Sequence, residues 1–112
     1  MGTSAELLCM ISADVSEGSK LSLEMAFDRV VTIDIYDSQD AATLAELGRA
    51  ELGVTWSKLW AWKFTEYSKM IFMDCDMLVL KSIDELFNRE ELSAVPDCGW
   101  PSIFNSGLFV FK

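Results

Sequence analysis

Two aspartates, Asp74 and Asp76, stand one residue apart in "KMIFMDCDMLVL", a run otherwise dominated by apolar residues. An unpaired carboxylate inside a buried strand costs several kcal/mol. Either a bound cation balances this pair, or the two acids sit on a turn in water. Side chains at i and i+2 of a strand share a face, and a turn after the strand can bring both towards one point. Two hard oxygen donors at one point suit Mg²⁺ or Mn²⁺, ions that keep open positions for phosphate oxygens. In transfer from a nucleotide sugar, such an ion neutralises charge growing on the departing diphosphate as a Lewis acid. Nine aspartates in 112 residues give roughly 0.7 such pairs by chance, so the pair draws its weight from context.

Other chemistries are excluded by composition. The sequence has no histidine, which removes Ser/His and Cys/His catalysis and most zinc sites. Cys9, Cys75 and Cys98 are odd in number, far apart and free of any CxxC, which reads as reduced thiols rather than a disulfide framework. Taken alone, Lys58 and Arg49 read as solvated helix charges. "NSG", residues 105–107, reads as a turn in which Gly107 permits positive φ.

The elements that must position these residues are short. "AELLCMIS" is an apolar run, helix or strand, and "SEGSKLSLEMAF" is a modest helix. "RVVTIDIY" is β-branched and predicts a strand. "DSQDAATLAELGRAELG" predicts one or two helical turns broken by Gly48 and Gly53. Trp56, Leu59, Trp60, Lys63, Phe64 and Tyr67 follow i, i+3, i+4, i+7 spacing, predicting a helix with Thr55 as N-cap and an aromatic core stripe. "KMIFM" is apolar throughout, as strands of a parallel sheet covered on both faces are. The acid pair would then lie at the end of a strand, where ligands of α/β sheets bind. "SIDELF" carries a capping box, Ser82 with Glu85. "LSAVP" and "SGLFVFK" predict two further strands, the last an exposed edge.

Half of the sequence is apolar, enough for a small core, and net charge is −9. The basic residues are scattered, which argues against nucleic acid and anionic membranes as partners. No stretch approaches the ~20 apolar residues of a membrane span. "MGTSAELLCM" lacks the basic region of a signal peptide, and Glu6 stands where myristoylation of Gly2 requires Ser or Thr.

From Phe27 onward the sequence resembles the glycogenins, self-glucosylating members of glycosyltransferase family 8. The resemblance rests on "FDRVVTIDIYDS", "ELGVTWSKLWAWKFTEYSKMIFMDCDMLVLKSIDELFNREELSAVPDCGWP" and "FNSGLFVFK". It implies an α/β fold, a partial Rossmann-like GT-A nucleotide-diphospho-sugar transferase sandwich. It implies Mn²⁺-dependent transfer of glucose from UDP-glucose to a protein tyrosine and then to the growing glucan, with retention at the anomeric carbon. Asp74 and Asp76 match the metal-binding pair, with Mg²⁺ as the other candidate ion. Cys75 stands between them where alanine is usual. Lys58 in "WSKLW" matches a lysine that contacts the donor and supports catalysis, and Arg49 in "GRAELG" matches an arginine on the UDP part. Asn105 and Ser106 match residues that bond the sugar. The resemblance further implies a homodimer, glycogen synthase as a partner and a cytoplasmic location.

Several family features have no counterpart. "MGTSAELLCMIS" does not resemble the family's first strand. The helix-rich second half, with a metal-ligating histidine and the acceptor tyrosine, is absent, and Tyr36 and Tyr67 do not match that acceptor. The expectation is therefore one truncated glycosyltransferase domain over residues 1–112, matching the family over 27–112, with no self-glucosylation by this chain alone. An inactive relic or interaction module, or a family 8 enzyme using another UDP-sugar such as a glucuronosyl or galactosyl donor, is the alternative.

Overall fold

The computed structural model describes residues 2–36, 50–99 and 103–112, with backbone only for 50–54. These form two compact units, Glu6–Lys63 and Met1–Ala5 with Phe64–Lys112. The architecture is mixed α/β.

The first unit is a β-α-β turn of chain. Strand β1 (Leu8–Ile11) leads into helix α1 (Glu17–Glu24) and strand β2 (Arg29–Thr32). The two strands pair in parallel, Leu8 opposite Arg29 and Ile11 opposite Thr32. Parallel neighbours cannot be joined by a tight hairpin, so a crossover is obligatory and α1 supplies it. The helix begins at Ser16, whose Oγ accepts from the Ser19 amide at 3.2 Å, and Glu17 favours the positive end of the helix dipole. Ile11 and Ile33 are buried, and the Ile33 amide still bonds the Ile11 carbonyl at 2.8 Å. The strand predicted over "RVVTIDIY" is thus real but shorter, and "AELLCMIS" resolves as strand.

A 3-10 helix, Ala50–Lys63, closes this unit. The predicted α-helix capped by Thr55 is corrected here. The helix starts earlier, so Thr55 lies inside it, and its period is three. Gly53, Val54 and Thr55 are three poor α-formers in succession. The change of period changes which residues share a face. Trp56, Leu59 and Trp62 form an exposed row, whereas Ala61 is buried at 3% exposure and Lys58, one turn back, is half-buried. The predicted core stripe is therefore split: Trp56 and Leu59 face outward, while Phe64 is buried and Tyr67 half-buried. Trp60 alone of these tryptophans is drawn in, stacked on Tyr36 at 5.4 Å.

The second unit is a three-stranded antiparallel sheet ordered β3-β5-β4, with β3 Met70–Met73, β4 Ser93–Pro96 and β5 Phe104–Phe111. A short 3-10 helix, Asp84–Asn88, lies between β3 and β4. "KMIFM" does form a strand, but its partner is antiparallel, so the parallel expectation fails. "SGLFVFK" is central rather than an exposed edge, since both its sides carry ladders. The edges of this sheet are β3 and β4, and Pro96, which has no N–H to leave unpaired, suits an edge strand. Phe109, Val110 and Phe111 are buried at 5%, 2% and 1% exposure, and Phe109 stacks on its cross-strand partner Phe72 at 4.9 Å. Such aromatic cross-strand pairs set register as well as adding apolar contact.

The capping box at Ser82 is also corrected. Ser82 Oγ accepts from the Asp84 amide at 3.3 Å, but the residue at the helix start is Ile83, with no side-chain cap. Among the described residues, Cys9, Cys75 and Cys98 are free thiols, and no helix is long and apolar enough to cross a membrane.

Candidate functional site

The acid pair lies one step beyond β3. The Asp74 amide donates to the Gly107 carbonyl at 2.8 Å, adding a last rung to the β3–β5 ladder. The chain then turns, with the Met77 amide reaching back to the Asp74 carbonyl at 3.4 Å. Asp74 is half-buried, while Cys75 and Asp76 are exposed. The carboxylates therefore do not sit inside an apolar strand, and burial alone does not require a cation to offset them. The turn carries them to an open position at the strand's end.

Strand β5 brings the rest of the site to this turn through an irregular register. Ala94 pairs with Phe109, but the next β4 residue, Val95, pairs with Asn105 rather than Leu108. Residues 106–108 are thus released from β4 and held from the β3 side, where Leu108 faces Met73. Bulges of this kind bend a strand and re-aim its side chains. Here the bend turns "NSG" towards Asp74.

Gly107 makes the approach possible. A β-carbon on it would lie 2.9 Å from Asn105 Oδ1, 3.3 Å from Asp74 Oδ2 and 3.6 Å from Met77 Sδ. Three side chains thus converge on the space a methyl would fill. The Gly107 amide donates to Asn105 Oδ1 at 2.8 Å, which fixes the rotation of the Asn105 amide. The sequence expectation of a turn with positive φ is overturned: "NSG" lies within β5, and the Gly107 φ is outside the left-handed region. The glycine is required for space rather than for backbone freedom. Its role was missed in the sequence because it depends on residues brought in from β3. Ser106, adjacent, is exposed.

Beside the acid turn an open, mostly apolar hollow of about 210 Å³ is lined by Met73, Met77, Leu78, Val79, Leu80, Ile83 and Leu108, with Lys81 also in its wall. Met77 belongs to both features, so the polar cradle has one greasy wall.

The remaining predicted residues are placed separately. Lys58 lies on the inward-turned side of the 3-10 helix in the first unit. In that unit Ser57 Oγ accepts from the Tyr36 amide at 2.9 Å, and Lys63 Nζ bonds Tyr36 Oη at 2.7 Å while sitting 3.3 Å over the Trp60 ring. The stretch holding Lys58 is thus tied to Tyr36, beyond the end of β2, by a backbone amide bond, a hydroxyl bond and Lys63 Nζ 5.3 Å over the Tyr36 ring. Arg49 lies outside the described residues.

Among the described residues no group of three or more His, Cys, Asp or Glu side chains is placed to hold a metal. That matters less for Mg²⁺ or Mn²⁺ than for zinc. The hard ions are commonly held by one or two carboxylates, with phosphate oxygens and water completing the shell, whereas zinc wants three or four protein ligands. An open turn bearing two carboxylates fits an ion that would arrive with a diphosphate.

Comparison with known proteins now gives the site a lineage. The family model described as glycosyl transferase family 8 matches residues 7–112, taking in β1 and α1 as well as the stretch from Phe27. Glycogenin-1 of Oryctolagus cuniculus is 54% identical over 110 residues, covering 98% of this chain and 33% of the relative. Glycogenin-1 of Homo sapiens is 51% identical over 110 residues, covering 98% of this chain and 31% of the relative. A glycogenin of Neurospora crassa is 31% identical over 113 residues, covering 99% of this chain and 16% of the relative. The chain spans a third or less of the length of these relatives. Because the family match runs unbroken from β1 through the acid turn to β5, this chain belongs to glycosyl transferase family 8.

Proposed function

We propose that this chain is the donor-binding segment of a glycogenin-type glucosyltransferase. The whole protein would move glucose from UDP-glucose to a protein tyrosine and then to the growing glucan, in the cytoplasm, as a homodimer able to engage glycogen synthase. Its two units would be parts of a Rossmann-like GT-A sandwich. The observation that carries this reading is the convergence of Asp74 and Asn105 across Gly107 at the open end of β3.

Asp74 and Asp76 would hold Mn²⁺, or Mg²⁺ in its place, and the bound ion would supply Lewis-acid neutralisation of the diphosphate. Asn105 is committed through Oδ1 to the Gly107 amide. Its NH₂ group is therefore the end offered to a ligand, a donor suited to a sugar hydroxyl, and Ser106 adds a hydroxyl that can donate or accept. Cys75, exposed between the acids, lets the nucleotide approach the backbone. Lys58 contributes a point positive charge for the leaving phosphate, and Arg49 a fork for the UDP part.

Calorimetric titration of the chain with UDP-glucose tests this. Binding heat that requires Mn²⁺ is the expected result. Equal binding with and without the ion, or none in either case, contradicts it.

A further inference from the structure

Lys69, the residue before β3, donates from Nζ to two backbone carbonyls, Phe87 O at 2.9 Å and Arg89 O at 2.8 Å. These oxygens stand at the end of the 3-10 helix Asp84–Asn88, where helical carbonyls lack partners within the helix. One side chain thus joins the chain just before it enters β3 to the chain just after it returns. Between those points lies the whole excursion that carries Asp74 and Asp76.

The helix has little else to hold it. None of its residues is buried, and it has no side-chain cap at its start. Besides the local bond from the Asp84 amide to Ser82 Oγ, Thr3 Oγ1 donates to Asp84 Oδ1 at 2.7 Å at an exposed position. Both contacts are charge-assisted, but Lys69 makes two bonds, the one to Phe87 O partly shielded from water, whereas the single hydroxyl–carboxylate bond is exposed and competes with water. The excursion is therefore pinned at its start by the Asp74–Gly107 rung and at its far end by Lys69.

We propose that Lys69 is a positioning residue for the donor site: by clamping the return of the 74–83 excursion, it holds the turn bearing Asp74 and Asp76 against β5. This rests on reading those acids as donor-site groups. Amide hydrogen exchange on the full chain tests it. Lys69→Met is expected to speed exchange at Asp74 and Met77 about tenfold, together with Leu86 and Arg89, while Val110 in the central strand keeps its protection. Lys69→Arg, which retains a charged donor, should restore wild-type rates. Faster exchange confined to Leu86 and Arg89, or no change anywhere, overturns the proposal. Should Lys69→Met also expose Val110, the milder Lys69→Gln is judged by the same amides. Titration with Mn²⁺ and UDP separates the two claims. Wild-type binding weakened about tenfold by Lys69→Met supports both, and wild-type binding unchanged by it overturns the clamp. Absence of wild-type binding counts against the donor-site reading, and the exchange rates still decide the clamp.

Discussion

A methyl group on Gly107 would press on Asn105 Oδ1 and Asp74 Oδ2. Asn105 is exposed and can swing outward, so Gly107→Ala should lower stability by less than about 1 kcal/mol while weakening Mn²⁺-UDP binding about tenfold. Denaturant unfolding and calorimetry on the same variant check both halves. Cys75 offers a second test, because its thiol is exposed between the two acids, with Cys98, also exposed, as internal reference. Alkylation of Cys75 should slow several-fold when Mn²⁺ and UDP are added, with Cys98 unaffected. Equal labelling of both thiols under the two conditions would place the nucleotide elsewhere. The acid pair itself was legible in the sequence, since two carboxylates beside an apolar run invite explanation. What Gly107 does was not, because the atoms it makes room for come from another strand.

Elements were legible by composition and illegible by partner. Each predicted strand exists, because β-branched and aromatic runs favour pleated backbone wherever they pair. The sense of pairing was misread at β3, since "MIFM" can be covered by parallel or antiparallel neighbours, and nothing within it tells which. The register shift at Ala94/Val95 was equally hidden, being a relation between two strands. In the 3-10 helix the aromatic spacing fits two periods, and the three-residue one turns Lys58 inward and Trp56 outward. The core of the antiparallel sheet gives a sharp prediction. Phe109 is buried and stacked on Phe72, so Phe109→Ala should cost about 3–5 kcal/mol, read by chemical denaturation. The cap of α1 is a smaller matter: Ser16→Ala should cost about 1 kcal/mol. A loss at Ser16 as large as that at Phe109 would mean the sheet is not where this chain's stability resides.

At the scale of the molecule, this chain carries 18 acidic residues against 9 basic ones. A nucleotide diphosphate approaching such a chain meets net repulsion, which a bound divalent cation would offset. Membership of the family was legible because several short motifs recur in one order, a pattern that survives misassigned strands. The extent of the match was less so, since β1 and α1 carry few distinctive side chains. The central claim is that Asp74 and Asp76 share a divalent cation with a nucleotide's diphosphate, and Mn²⁺ electron paramagnetic resonance addresses it most directly. The free Mn²⁺ signal should fall when protein and UDP are both present. Asp74→Asn or Asp76→Asn should weaken that uptake about a hundredfold. A signal indifferent to the protein, or uptake by either asparagine variant as strong as by the unaltered chain, would contradict the account.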